Sequence, residues 1–542
     1  MENILIIIPA RGGSKLIPRK NTRNMNGKPL IFYSIECAKK SIYEPDIFVS
    51  SDDDEILMLA KKFGASVHKR PDNLSTDLVT LDPVVYEAYK SIKEKNGKNY
   101  KLIVTLQPTS PLLNTSSLDE GISRMIQDPS IETMISARVD THLIWSKAGD
   151  NYVPKYEKRL NRQELPPVYK ETGGFMITRE KVISSDTRIG RKVDLHPLSN
   201  GEEIDIDSYE DWNTCEFLMG RKKILFVLAG NNNIGLGHIY RALTLANEIY
   251  EHELFFLALK NSEVGFKKIQ ESNYRAYLAK TDNIVEEIKQ INPDLVINDF
   301  LNTSFEYTLA LKQLGVKIVN FEDMGEGVKN ADFVINALYP EKYIAKNIMS
   351  GHNFFCARDE FLYSEIKQMT KEVRNVLISF GGSDENNLTL KVLRSVYNYC
   401  NDHNIKITVV AGLGYLNFDS IESFVNIEII KNTRKISDYM LNSDIIFTSA
   451  GRTVYEIACL GIPTIVIAQN DRELTHYFAH PENGFINLGL GKNIEENEII
   501  KIFRDLTNNY DERILMQQRM LKNNIRSGKK HVISLIRDLI RK

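Results

Sequence analysis

Ile4-Leu5-Ile6-Ile7-Ile8-Pro9-Ala10-Arg11-Gly12-Gly13-Ser14-Lys15-Leu16-Ile17-Pro18-Arg19-Lys20-Asn21 joins an unbroken apolar run to a basic turn with two glycines. Residues 4 to 8 are continuously apolar, too few for a helix and without a polar face, which predicts a strand covered on both sides. This buried strand accounts for the N-terminal run better than a signal peptide does, because no basic segment precedes it. Gly12 and Gly13 then let the backbone turn its N–H groups toward an anion, while Arg11, Lys15, Arg19 and Lys20 supply cationic donors. So many cations in one turn match a triphosphate, whose charge must be offset before a hydroxyl can attack it. The G-x-x-x-x-G-K-[ST] loop is absent, so this is a different phosphate cradle. A solvated basic turn is the bland alternative.

Outward from that stretch, strand-like runs alternate with helix-patterned segments. Ile47–Ser50, Leu102–Thr105, Ile224–Leu228, Leu295–Ile297, Lys317–Val319, Val376–Ser379, Ile405–Val410, Asp444–Phe447 and Thr464–Ile467 all read as buried strands. Spacing that leaves a helix between each predicts an α/β fold with mostly parallel sheets. The pattern restarts after a helix over Tyr209 to Met219, where Gly220-Arg221-Lys222-Lys223 leads into a second opening strand, and again at Val376 after a charged segment. This divides the chain into three regions, 1–220, 221–370 and 371–542, the last ending in a mixed-charge helical tail. Length agrees, since 542 residues correspond to about three or four folding units.

Composition narrows the partners. Lys plus Arg number 69 against 71 Asp plus Glu, a formal charge of -2, so nothing advertises a nucleic-acid binder. Hydrophobic residues make up 42%, yet the longest apolar stretches, such as Ile462 to Ala468, fall far short of a membrane span. Five scattered cysteines without a C-x-x-C pair read as reduced thiols, and the chain is expected to be cytoplasmic and independent of membranes.

Four further clusters carry chemistry. In Glu203-Ile204-Asp205-Ile206-Asp207, an extended backbone puts Asp205 and Asp207 on one face and anchors the isoleucines on the other. Paired hard oxygen ligands suit Mg²⁺ shared with substrate phosphates; a charged strand edge is the alternative. In Gly235-Leu236-Gly237-His238, the histidine stands at a predicted helix start. The positive helix end there disfavours the imidazolium and keeps the ring available as a base, and Gly237 allows a ligand to approach. Phe380-Gly381-Gly382-Ser383-Asp384 and Ser449-Ala450-Gly451-Arg452-Thr453-Val454-Tyr455-Glu456 each put small residues where a strand gives way to a helix, a diphosphate site in waiting. Glu456 could accept ribose hydroxyls, or Thr453 and Glu456 could form a capping box. Arg452 could pair with a diphosphate or with Glu456.

The first region resembles the CMP-sialic acid synthetases, cytidylyltransferases that activate nonulosonic acids. The likeness runs from Ile8-Pro9-Ala10-Arg11-Gly12-Gly13-Ser14-Lys15 through Ser50-Ser51-Asp52-Asp53, Lys69-Arg70-Pro71 with Leu74-Ser75-Thr76-Asp77, and Leu106-Gln107-Pro108-Thr109-Ser110-Pro111-Leu112, to Asp205-Ile206-Asp207. It implies a Rossmann-like nucleotidyltransferase domain in which Arg11, Gly13, Ser14, Lys20 and Asn21 hold the CTP phosphates. Arg70 and Ser75 border the cytidine, Gln107 contacts the sugar, and Asp205 with Asp207 binds Mg²⁺. Arg162-Gln163 retains part of an Arg-rich carboxylate clamp, which suits a carboxylated sugar. The family's Ser-Pro-Leu-Arg reads Ser110-Pro111-Leu112-Leu113, and its Asn-Gly-Ala reads Glu171-Thr172-Gly173-Gly174, departures on the acceptor side. The family also implies a homo-oligomer, a dimer.

The rest of the chain resembles the UDP-sugar hydrolase of pseudaminic acid biosynthesis, within the two-lobed GT-B superfamily. The matches are Gly235-Leu236-Gly237-His238 with Arg241, Phe380-Gly381-Gly382-Ser383-Asp384, and Ser449-Ala450-Gly451 with Thr453, Glu456 and Gly461-Ile462-Pro463. The resemblance implies that His238 activates water against the anomeric carbon. Gly237, Gly382, Ser383, Ser449, Gly451, Thr453 and Glu456 would grip the UDP-sugar. Here too the chain departs: an Asp-Asp pair becomes Glu322-Asp323, and a Gly-Thr-Thr becomes Gly451-Arg452-Thr453. The expectation is a bifunctional enzyme of nonulosonic acid biosynthesis, with a glycosyltransferase or a non-catalytic nucleotide-sugar scaffold as alternatives for the second half. Catalysis would rest on Asp205, Asp207, Lys20, Arg11 and His238.

Overall fold

The computed structural model describes residues 3–14, 16–76, 78–231, 235–340, 343, 345–382, 384–412, 414–431, 433 and 435–541. Lys15, Asp77 and Ser383 lie outside the described residues. The chain separates into two compact units, Met1–Arg221 and Lys222–Lys542.

The first unit is built on a seven-stranded sheet. Its order is Val193–Pro197, Thr133–Val139, Tyr169–Arg179, Leu102–Thr105, Ile4–Pro9, Asp46–Ser51, Ser66–Lys69. Ile4–Pro9 pairs in parallel with Leu102–Thr105 on one side and Asp46–Ser51 on the other, so strand order reverses around it. In such sheets the crevice beyond the carboxyl ends at this reversal is where ligands bind. Tyr169–Arg179 runs antiparallel to both neighbours. Ile4 to Ile8 are all buried, on both faces, as a helix-covered central strand requires. Each isoleucine so buried contributes about 1.5–3 kcal/mol. The helix Tyr209–Met219 closes the unit. Ser208 and Asp211 form its capping box, and Trp212 and Cys215 pack against Ile17, Met25, Leu30 and Ile206.

The second unit carries two all-parallel sheets. One has the order Ala276–Leu278, Glu253–Ala258, Lys223–Leu228, Leu295–Asp299, Lys317–Phe321, Phe333–Asn336, Ile348–Ser350. The other has the order Ile427–Lys431, Lys406–Ala411, Asn375–Ser379, Ile445–Thr448, Thr464–Ala468, Phe485–Leu490. Numbered along the chain, the first six strands of one sheet and all six of the other follow the doubly wound order 3-2-1-4-5-6. This is a two-lobed, GT-B-like α/β unit.

One part of the sequence division changes. The helix Gly528–Arg541, assigned to the region 371–542, packs instead into the core of the first lobe. There Val532, Ile533, Ile536 and Leu539 meet Ile224, Phe226 and Ile335. Lys529 fastens that helix by ion pairs to Glu248 and Asp359. The tail was legible as an amphipathic helix, but its apolar stripe carries no mark of which sheet it covers. Among the described residues, no helix is long and apolar enough to cross a membrane.

Candidate functional site

In the first unit the basic loop and the acidic couplet meet. Ile17 and Ile206 are both fully buried in one apolar cluster, so the two segments share an anchor. Lys20 Nζ donates to Ile206 O at 2.7 Å, joining positions 186 residues apart. The couplet is not a sheet strand as its alternation suggested. Ile206 N–H bonds to Thr109 O at 2.8 Å, and Ile206 plugs the core while Asp207 stays exposed. Burial lowers the Lys20 pKa although Asp207 and Asp205 push it back up. Burial raises Asp205 against the opposing pull of the neighbouring Thr109 hydroxyl, and its Oδ1 is closed off from solvent without a well-formed hydrogen bond among the described residues.

Two glycines make room for these carboxylates. A β-carbon on Gly173 would stand 2.8 Å from Asp205 Oδ1 and 3.0 Å from Thr109 Oγ1. One on Gly12 would stand 2.7 Å from Asp53 Oδ2, and Gly12 N–H donates to Asp52 Oδ1 at 3.0 Å. A side chain at either place would have to push the neighbouring carboxylate aside.

Arg11, Lys20, Asn21, Arg70, Gln107 and Thr109 line a cavity of about 250 Å³ at the carboxyl ends of Ile4–Pro9 and Leu102–Thr105. This is where strand order reverses. Asn21 Nδ2 donates to Arg11 O at 2.9 Å, holding the loop shut on itself. Arg70 NH2 donates to Ser50 O at 2.8 Å, and its Nε is buried without a hydrogen-bond partner among the described residues. Other expected residues stand differently. Gly13 is exposed and Ser14 half-buried on the loop. The Ser75 hydroxyl donates back to Pro71 O, leaving Leu74 and Thr76 as the cavity wall. Arg19 is exposed and paired with Glu55. Arg162 lies on an exposed single turn and does not line the cavity.

In the second unit His238 is the second residue of the helix Gly237–Ala246, at the carboxyl end of Lys223–Leu228. Its Nδ1 meets Asp299 Oδ1 at 2.6 Å. Asp299 ends the neighbouring strand Leu295–Asp299, across the strand-order reversal. Arg241, one helical turn beyond His238, grips the same carboxylate through Nε and NH2, both at 2.6 Å, and reaches Glu322 at 3.2 Å. Burial works against the Asp299 charge, but Arg241 and His238 hold it down to about 2. Glu322 sits at φ 51, an uncommon conformation for a glutamate, held there by Ala337 and Leu338 N–H groups donating to its carboxylate. Asp323 is spent on Thr303, Asn320 and Gly325, a structural role.

Two cavities adjoin the histidine. One, about 360 Å³, is lined by Gly237, His238, Arg241, Glu322, Tyr339, Gly451, Arg452 and Arg472. The other, about 230 Å³, is lined by Gly237, Gly382, Gly412, Arg452, Thr453 and Glu456. Ser449 is buried and lines neither. The capping box does not form, because Gly451 is the N-cap of Arg452–Leu460 and no side chain caps it. Glu456 is instead held by Arg358 at 2.9 and 3.1 Å. Asp384 caps the helix Leu388–Asp402 through the N–H groups of Leu388 and Thr389.

Sequence reasoning passed over Asp299 and Arg358, and read Gly173 only as part of an acceptor-side departure. The signal for Asp299 was present: an acidic residue closing an apolar strand beside the one that carries the helix-start histidine.

Comparison with known proteins adds the family. Residues 5–185 match the family described as cytidylyltransferase, and residues 376–536 match the glycosyltransferase family 28 C-terminal domain. A pseudaminic acid cytidylyltransferase of Campylobacter jejuni is 33% identical over 227 residues, covering 40% of this chain and 96% of that protein. An uncharacterized protein of Methanocaldococcus jannaschii is 32% identical over 334 residues, 53% of this chain and 67% of its own length. A Helicobacter pylori protein named pseudaminic acid cytidylyltransferase and UDP-2,4-diacetamido-2,4,6-trideoxy-beta-L-altropyranose hydrolase is 22% identical over 526 residues. It covers 93% of this chain and 94% of that one.

Proposed function

The chain belongs to the cytidylyltransferase family, and on that premise we propose a bifunctional enzyme of nonulosonic acid biosynthesis. The first unit joins CTP to a nine-carbon sugar acid of the pseudaminic or legionaminic class. The second releases UDP from an upstream UDP-sugar, a diacetamido-trideoxy hexose being the first to test. The Lys20 bond to Ile206 carries the reading, since it ties the acidic couplet to the cationic loop whose Arg11, Lys20 and Asn21 line the cavity, although Asp205 and Asp207 stand beside that cavity's lining and not in it.

In the first unit Arg11, Lys20 and Asn21 bind the triphosphate, with Gly13 and Ser14 completing the loop, while Arg70 borders the base and Gln107 meets the sugar. The anomeric oxygen bonds to the α-phosphorus and the bridging oxygen leaves with its electron pair on pyrophosphate. The hydroxyl proton passes to water. Arg11 and Lys20 take up the charge on the leaving group. The orphaned Asp205 Oδ1 and the room kept by Gly173 fit a hard cation, which Asp205 and Asp207 would hold. A Mg²⁺ there would withdraw charge from the α-phosphate.

In the second unit Asp299 fixes His238 Nδ1, leaving Nε2 to take the proton of the attacking water. Gly382, Thr453 and Glu456 line the nucleotide side. Five buried free cysteines support a reducing, cytoplasmic setting. Exposed Trp145, Tyr152 and Val153 on the hairpin of the first unit support a homodimer.

The test is a panel of sialic, legionaminic and pseudaminic acids with CTP and Mg²⁺, read by pyrophosphate release, and a UDP-sugar alone, read by UDP release. Pyrophosphate with none of the acids contradicts the first half. UDP released only when a sugar acceptor is added makes the second unit a glycosyltransferase.

A further inference from the structure

The two cavities of the second unit share a wall, and on that wall stands a guanidinium nitrogen with no partner among the described residues. Arg452 opens the helix Arg452–Leu460 and lines both cavities. Its Cδ lies 3.2 Å from where a β-carbon on Gly237 would stand, next to His238. One arm is committed: NH2 donates to Cys356 O at 3.0 Å, and the guanidinium carbon sits 4.9 Å from the Phe355 ring centre. NH1 is shut off from solvent and has no hydrogen-bond partner among the described residues.

The surrounding carboxylates are already taken. Glu456 is held by Arg358, so the pairing with Arg452 that the sequence left open is not made. Asp299 serves His238 and Arg241, and Glu322 serves Arg241. Burial pulls Arg452 down to about 10 and Arg241 nearby adds to it, together outweighing Glu456 and Asp299, which push the other way without bonding to it. A desolvated cation left unpaired works against folding. Its place is explained if the missing anion arrives with a ligand.

We infer that Arg452 grips the diphosphate of the nucleotide sugar where it passes from the Glu456 cavity to the His238 cavity, and takes up the charge of the departing β-phosphate. The inference rests on the nucleotide-sugar reading of this unit. In the step it serves, the water oxygen bonds to the anomeric carbon and the bond from that carbon to the phosphate oxygen breaks. The electron pair goes to the β-phosphate, and the water proton goes to His238 Nε2. Negative charge grows on the phosphate as the bond opens, and a planar fork of N–H donors suits its oxygens better than a point charge would. The residue is this chain's own departure, since the resembled family has threonine there. It makes the site discriminate nucleoside diphosphates from monophosphates.

Calorimetric titration of the full chain, with CTP present to fill the first unit, tests this using UDP, UMP and GDP. R452M is expected to bind UDP about 10- to 100-fold more weakly while UMP changes far less. R452K, which keeps the charge but loses the fork, is expected to fall between. UDP bound equally by wild type and R452M, or UDP and UMP weakened alike, overturns the inference. Should R452M fail to fold, an unchanged UDP-to-UMP gap in R452K overturns it equally. GDP bound as tightly as UDP, with the diphosphate gap still abolished in R452M, supports Arg452 and overturns only the uridine assignment. Wild type binding none of the three overturns both.

Discussion

Replacing Asp299 with asparagine keeps its shape and removes its charge. In the native arrangement both carboxylate oxygens accept from charged or ring donors, Oδ1 from His238 and Arg241 NH2, Oδ2 from Arg241 Nε, all at 2.6 Å. An amide can present only one oxygen, so its NH2 must face either Arg241 Nε alone, in place of Oδ2, or the imidazole together with Arg241 NH2, in place of Oδ1. Facing Arg241, it sets donor against donor; facing His238, it forces the other tautomer and removes the proton acceptor from Nε2. Comparable exchanges behind a catalytic histidine lower kcat by about 10⁴, equivalent to about 5.5 kcal/mol. Stability falls too. Stripping one partner from a buried pair costs about 3–5 kcal/mol, and Glu322 still faces Arg241, so the low end applies. UDP release from the UDP-sugar, measured beside H238A and the double variant, decides the matter. The variants of one working unit should not add: D299N/H238A is expected to be no slower than H238A. D299N within tenfold of wild type, with H238A inactive, would refute the idea that Asp299 sets the histidine.

Three further outcomes rest on the buried carboxylates of the two units. G173A would drive a β-carbon to 2.8 Å from Asp205 Oδ1, and a displaced carboxylate is expected to lower pyrophosphate release about 10²-fold, with UDP release unchanged. D205N is expected to weaken Mg²⁺ binding while raising the melting temperature measured without metal or nucleotide. Burial raises the Asp205 pKa from 3.8, so its charge opposes folding increasingly as pH rises above 3.8 and fully above the raised value, and the gain should be larger at neutral pH than at about pH 3. Asp299 moves the other way: a carboxyl lowered from 3.8 to about 2 adds about 2.5 kcal/mol above pH 4. That contribution is lost as pH falls through the window from 4 to 2, and acid titration followed by circular dichroism should show D299N losing less there than wild type.

The strands Ile4–Pro9 and Lys223–Leu228 were legible because a short, continuous apolar run has few other ways to be buried. The basic loop was legible because its cations stand together in sequence. Asp299 was legible only as an acidic residue closing an apolar strand, because His238 is 61 positions away and only parallel pairing of Lys223–Leu228 with Leu295–Asp299 makes them neighbours. The couplet read as a strand because alternation is also what a single isoleucine plugging a core produces; Ile206 finds Thr109 O instead of a ladder. Arg162 has no local signal separating a clamp from a surface charge, and its exposed turn leaves it away from the first cavity. Glu456 was read from its place after a glycine-rich turn, whereas Arg358, nearly a hundred residues earlier, decides its partner.

Pyrophosphate release from CTP and the preferred sugar acid, compared between wild type, D207N and H238A at saturating Mg²⁺, tests the central claim most directly. D207N is expected to be silent and H238A to match wild type. Unchanged release by D207N would contradict that claim.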